Sequence, residues 1–112
     1  MQELNYLTMI TAVRNCVETD GFRVGIFIRT RADENRVLSD ILQSMDDEEM
    51  GAYSRVRRTT NRNIIEFRNG SWIRVLGASE NSRGLAFHKV LYEPDIDHEA
   101  LCVVRYTEKL RF

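Results

Sequence analysis

The dipeptide Asn69-Gly70 constrains the fold more than any other feature, because it separates two short runs of β-forming residues. The run before it is IIEF and the run after it is WIRVL. Asparagine and glycine tolerate the two positive φ angles of a type I′ turn, whose twist matches that of paired antiparallel strands. We therefore predict a β-hairpin over residues 63–76 with Asn69 and Gly70 as its loop.

A two-residue loop also determines which residues face each other across the hairpin. Phe67 would lie opposite Trp72 as a cross-strand aromatic pair, and Ile65 would lie opposite Arg74. In this register, each face of the hairpin mixes apolar and charged side chains. We therefore expect a hairpin that helices cover only in part.

The chain before the hairpin changes from a helical pattern to a strand pattern and back. Apolar residues recur at helical spacing over residues 3–19, and Gly21 suits the end of a helix. Residues 22–29 form the nearly continuous apolar run FRVGIFIR, which is typical of a strand buried on both faces of a parallel sheet. Thr30 is predicted to cap a second helix over residues 32–45. This succession predicts an α/β layered fold with a short, mostly parallel sheet.

The chain after the hairpin contains two further apolar runs. Residues 88–93, HKVLYE, predict a short buried strand that Pro94 closes. Residues 95–99 predict a turn that can open a short helix. The tail is predicted to be a strand over Leu101–Tyr106. In such a strand, Cys102, Val104 and Tyr106 would lie on one side, which is the more apolar side and would face the core.

Length and composition are those of one ordinary domain, residues 1–112, with a single core. The formal net charge is −1, so the total charge does not indicate a nucleic-acid partner. No apolar run approaches the roughly 18 residues of a membrane span, and the first residues lack the pattern of a signal peptide. Cys16 and Cys102 have no metal-type spacing, and we expect reduced, buried thiols in a cytoplasmic protein.

Charge is segregated along the chain despite the neutral total. Residues 46–50, DDEEM, are acidic and are predicted to form a solvated helix end. Residues 52–83 hold seven arginines against only two glutamates. This segment either binds the phosphates of nucleic acid or is a solvated loop that pairs with residues 46–49. The candidate nucleic-acid-binding residues are Arg55, Arg57, Arg58 and Arg62.

Three motifs in this order resemble the ATPase core of the phage terminase large subunit, a RecA-like P-loop motor that packages viral DNA. That family has a hairpin of the form I-x-F-x-N-G-S-x-I, then S-x-R-G, then a Walker B strand that ends in acids. Here the corresponding segments are IEFRNGSWI at 65–73, Ser82-Arg83-Gly84 and VLYE at 90–93. The resemblance covers most of residues 6–99 and implies a partial RecA-like layered fold with flanking helices.

The resemblance also implies roles for single residues. Arg83 would lie near nucleotide phosphates, and Glu93 would be the magnesium-binding Walker B acid. Pro94 stands where the family has its catalytic glutamate and has no general-base chemistry, which leaves Asp95 as the candidate for that role. The family's P-loop, G-x-x-x-x-G-K-[ST], would precede the first helix, where residues 2–5 are QELN. We therefore expect no cofactor, with Mg²⁺ and ATP bound only if another chain completes the site.

Several functions agree with these observations. The first is a non-catalytic phage or prophage protein that binds double-stranded DNA or another packaging protein in the host cytoplasm. The second is a fragment of a terminase motor, an ATP hydrolase, that another chain completes. A small phage-encoded inhibitor of a host protein is a third, and the fourth is a metal-dependent enzyme that uses Glu93, Asp95, Asp97 and His98. An incomplete motor sheet would leave an exposed edge, so we also expect a homo-oligomer.

Overall fold

The computed structural model describes residues 1–58, 63–77 and 84–111, and of Arg58 it describes the backbone only. The elements follow one another as β1 (Gln2–Glu3), α1 (Tyr6–Glu18), β2 (Arg23–Ile28), a 3₁₀ turn (Arg31–Asp33), α2 (Glu34–Ser44), α3 (Asp47–Ala52), β3 (Tyr53–Arg58), β4 (Asn63–Phe67), β5 (Trp72–Gly77), β6 (Lys89–Tyr92) and α4 (His98–Arg105). The α/β class predicted from the sequence is confirmed.

The strands form one mixed sheet in the order β1-β6-β2-β5-β4-β3. The neighbours β1 and β6, β6 and β2, and β2 and β5 run parallel. The neighbours β5 and β4, and β4 and β3, run antiparallel. The sheet therefore has a parallel half and an antiparallel half, joined at β5.

Helices α1 and α2 cover the first face of the sheet over its central strands β6, β2, β5 and β4. Helix α1 begins with a capping box in which the side chains of Asn5 and Thr8 bond to each other's backbone amides. The apolar stripe of α2, with Val37, Leu38 and Ile41, is buried as its helical spacing predicts. The sheet residues buried against the two helices are Val24, Ile26, Ile28, Ile65, Phe67, Ile73, Val75 and Leu91.

A second, smaller core lies on the opposite face of the sheet. Its buried residues are Phe27, Leu76, Phe87, Val90, Ile96 and Val104. They come from β2, β5, β6, α4 and the segments that flank β6, so β2 is buried on both faces as predicted. This cluster contains no described residue of β3 or β4. The second face of β3 and β4 therefore lies outside both cores.

The hairpin over residues 63–76 is confirmed, but the predicted type I′ loop and its register are wrong. Of the two residues of the predicted loop, Asn69 and Gly70, only Gly70 has a positive φ, +85°. The loop has three residues, because the amide of Gly70 donates to Phe67 O at 3.2 Å and Phe67 N donates to Ser71 O at 2.9 Å. Trp72 therefore lies opposite Glu66, one residue away from its predicted partner Phe67.

The physical cause of this register is a contact between the loop and helix α1. Asn69 Nδ2 donates to the carbonyl of Cys16 at 2.8 Å, close to the end of α1, where carbonyls lack helical partners. A shift of one residue exchanges the two faces of a strand. Here it places Ile65 opposite Ile73, and both are fully buried in the first core.

The predicted strand over Leu101–Tyr106 is also wrong, because this segment is helix α4. Asp97 caps the helix by accepting a hydrogen bond from Ala100 N at 2.8 Å. The short apolar run of this segment fits either structure, and the cap decides between them. Cys102 is consequently exposed rather than buried. Cys16 is buried as expected, and burial raises the pKa of its thiol to about 12.

Three helix boundaries also differ from the predictions. Residues 2–3 form a strand, so α1 begins only at Tyr6. Thr30 precedes a 3₁₀ turn and makes no cap to its backbone; its hydroxyl donates to Asp33 Oδ2 at 3.2 Å. The acidic run begins helix α3 rather than ending a helix, because Asp46 and Glu49 form a capping box.

Candidate nucleic-acid interface

The second face of the sheet carries a row of side chains in register across four strands, from β2 to β3. Val56, Ile65 and Ile73 pack against the first core, so the residues that alternate with them point to the other side. The row comprises Arg23 of β2, Trp72 of β5, Glu66 of β4 and Arg55 of β3. A neighbouring row comprises Arg74, Ile64 and Arg57. We call these seven residues the arginine face.

Glu66 joins the two arginines of β3. Its Oε2 lies 2.7 Å from Arg55 Nε, and its Oε1 lies 2.8 Å from Arg57 Nε. The side chains of Arg55 and Arg57 are 59% and 45% exposed, and that of Glu66 is 24% exposed. Two guanidinium groups share one carboxylate, so this cluster keeps a net positive charge at the surface.

For Arg55 and Arg57, the predicted loop that pairs with residues 46–49 is therefore wrong in both its structure and its partner. In the described part of residues 52–83, Arg55 and Arg57 lie in strand β3 rather than in a loop, and they pair with Glu66 rather than with residues 46–49. Two of the acids in the run, Glu48 and Glu49, lie instead 3.7 and 3.9 Å from Arg14 of helix α1.

Arg23 lies at the other end of the row and is held by two neighbours. Its guanidinium carbon lies 5.7 Å from the centroid of the Trp72 ring, within the range of a cation–π contact. The backbone amide of Arg23 donates a hydrogen bond to His88 Nδ1 at 2.9 Å. Burial and the nearby charge of Arg23 lower the pKa of His88, which favours the neutral ring that can accept this bond.

The structure brings together some of the predicted binding residues and adds others. Arg55 and Arg57 lie side by side on β3, and the backbone of Arg58 continues the same strand. Arg62 and Arg83 lie outside the described residues. Arg23 was missed as a binding residue, because only the strand register places it in the same row as Arg55.

The residues singled out by the motor resemblance lie at another place, the carboxyl end of the parallel strands. Glu93 follows β6, where its Oε1 accepts from Arg29 N at 2.7 Å and its Oε2 accepts from Arg36 at 3.1 Å. Arg36 also lies 3.5 Å from Asp33 and 3.6 Å from Asp40. Partial burial raises the pKa of Asp33, but hydrogen bonds from Thr30 and Arg36 outweigh it and hold this pKa below its usual value.

A cavity of about 640 Å³ opens beside Glu93, between the start of α1 and helix α2. Its lining does not fit a magnesium nucleotide. The side chain of Asn5, which lines the cavity at the start of α1, already accepts from Thr8 N at 2.9 Å, and both oxygens of Glu93 accept protein hydrogen bonds. Asp95 is exposed beyond Pro94.

The residues of the metal-enzyme hypothesis have separate partners. Asp97 caps α4, and Glu93 pairs with Arg36. In residues 1–58, 63–77 and 84–111, no three His, Cys, Asp or Glu side chains are arranged to hold a metal ion.

Two observations concern the whole described chain. None of its described helices is long and apolar enough to cross a membrane. In comparison with known proteins, no protein-family model matches the chain, and no curated protein matches it in sequence.

Proposed function

We propose that this chain is a non-catalytic domain of phage or prophage origin that binds double-stranded DNA through the arginine face during DNA packaging. The observation that carries the proposal is the placement of Arg23, Arg55, Arg57 and Arg74 on one sheet face that also includes Trp72 and one acid, Glu66. Binding to the phosphate backbone requires clustered cations rather than a basic protein overall.

The geometry of β3 suits a phosphate backbone. Arg55 and Arg57 are two residues apart on a strand, which separates them by about 6.6 Å. One DNA strand carries a phosphate per roughly 3.4 Å of helix axis. The two guanidinium groups can therefore contact two nearby phosphates of the same DNA strand. Their long side chains are about half exposed and can reach such groups without a change in the core.

The packaging context rests on the resemblance to terminase motors. It is supported by the order of motifs along the chain and by the position of β6, which ends at Tyr92, just before Glu93, and lies between the parallel strands β1 and β2. The absence of catalysis is supported by Pro94 after Glu93 and by the two protein contacts that occupy the Glu93 carboxylate. Strands β1 and β3 lie at the sheet edges, so a homo-oligomer stays a prediction.

Replacing Arg57 by glutamine is expected to weaken DNA binding and its dependence on salt. Each arginine that neutralises a phosphate contributes about 0.9 to the slope of log K against log salt concentration, so Arg57→Gln should lower the slope by about that amount. The measurement is the fluorescence anisotropy of a labelled 24-base-pair duplex at several salt concentrations.

Arg14→Gln is the matched control for this experiment. Arg14 is also an ion-paired arginine, with a side chain 38% exposed, but it lies on helix α1 on the other side of the sheet. It should leave the slope unchanged. Equal losses in the two variants, or no binding by the unmodified protein at low salt, would contradict the proposal.

The second candidate function, a motor fragment that another chain completes, is favoured by the cavity beside Glu93. Because the described lining does not fit a magnesium nucleotide, we expect no heat of binding when millimolar ATP and Mg²⁺ are titrated into the protein. Binding that Glu93→Gln abolishes would instead favour a nucleotide site and overturn the non-catalytic reading.

A further inference from the structure

We propose that Glu66 restrains DNA binding by the arginine face, because its carboxylate occupies Arg55 and Arg57 in the free protein. The inference rests on the proposed function and deepens it. It assigns to one acid the control of how many cations the face presents to a phosphate backbone.

The position of Glu66 supports this role. Its two carboxylate oxygens contact different arginines, at 2.7 and 2.8 Å, so both guanidinium groups are drawn towards β4. Arg55 is its direct partner across the antiparallel pair. In the two described rows of the arginine face, Glu66 is the one acidic residue.

A carboxylate and a phosphate offer a guanidinium the same kind of acceptor, a pair of anionic oxygens. A phosphate that approaches Arg55 or Arg57 must therefore displace Glu66 or share the guanidinium with it. Ion pairs at an exposed surface are weak, so displacement is feasible. In either case Glu66 competes with the phosphate for Arg55 and Arg57, so removing the carboxylate should strengthen DNA binding.

The test compares Glu66→Gln with Glu48→Gln in the duplex anisotropy experiment. Both variants change the net charge equally, but Glu48 is an exposed acid on α3 that pairs with Arg14. We expect Glu66→Gln to raise affinity about tenfold near 100 mM salt and to steepen the salt slope by up to about 0.9, the value of one more phosphate contact. Glu48→Gln should raise affinity less than about threefold, through net charge alone.

A double-mutant cycle separates a local effect from a general one. In a protein that carries Arg55→Gln and Arg57→Gln, the gain from Glu66→Gln should disappear. Equal gains from Glu66→Gln and Glu48→Gln, or a gain that persists without the two arginines, would overturn the inference. The proposed function would still stand in that case if binding by the unmodified protein depended on Arg57.

An absence of DNA binding by both the unmodified protein and Glu66→Gln would overturn the proposed function and this inference together. Circular dichroism establishes that each variant is folded. If Glu66→Gln does not fold, Glu66→Thr provides the same neutral change with a residue of higher strand propensity.

Discussion

Replacing Gly25 by alanine is expected to lower the free energy of unfolding by about 1–3 kcal/mol, the range for overpacking a well-filled core. A Cβ atom at this position would lie 2.6 Å from Phe87 Cε2 and 2.9 Å from Phe87 Cγ. The Phe87 ring is only 1% exposed and packs edge-on against Phe27 and Trp72, so it has little room to move away.

Urea unfolding followed by circular dichroism measures the effect, with Gly77→Ala as the control. Gly77 also lies in a strand of the parallel half, but a Cβ there would meet nothing within 4 Å. Adding Phe87→Leu to Gly25→Ala should cost less than the sum of the two single changes, since the smaller side chain relieves the clash. A Gly25→Ala protein as stable as its parent would show that this core is not closely packed.

Replacing Ser71 by alanine is expected to lower the free energy of unfolding by about 1–3 kcal/mol, because it removes two hydrogen bonds that contribute about 0.5–1.5 kcal/mol each. Ser71 is 1% exposed. Its Oγ accepts from Phe22 N at 2.9 Å and donates to Thr19 O at 2.7 Å. Alanine would remove both of these hydrogen bonds, at the point where α1 ends and β2 begins.

Ser54→Ala is the control, because Ser54 is an exposed serine of strand β3. The two variants are compared by the midpoint and slope of urea unfolding. The Ser71 variant should unfold at a clearly lower urea concentration with an unchanged slope, as expected when stability alone changes. If the two midpoints agree, the serine bridge between α1, β2 and the hairpin contributes nothing to stability.

Local sequence patterns predicted the features that depend on a single element. The burial of β2 on both faces and the stripe of α2 follow from the spacing of apolar residues. The hairpin loop did not follow from its own sequence, because Asn69 bonds to Cys16 O, a group 53 residues away along the chain. This tertiary contact outweighs the local propensity of Asn69-Gly70 for a type I′ turn.

The candidate interface could be predicted only as an arginine-rich segment. The sequence shows the charges of Arg55 and Arg57 but not that Glu66, 11 residues beyond Arg55, binds both of them. That information depends on the antiparallel pairing of β3 with β4, which no local pattern in the sequence predicts. Arg23 was missed for a similar reason, because its place in the row depends on the parallel pairing of β2 with β5.

The end of the second core at β5 has a consequence for how this protein can change. Arg55, Arg57 and Glu66 project from strands whose opposite side is anchored in the first core, through Val56, Ile65 and Phe67. Selection for folding therefore acts on one side of β3 and β4 and leaves the other side available for selection on binding. Such a surface can acquire a new charge pattern, and with it a new ligand, while the interior keeps its sequence.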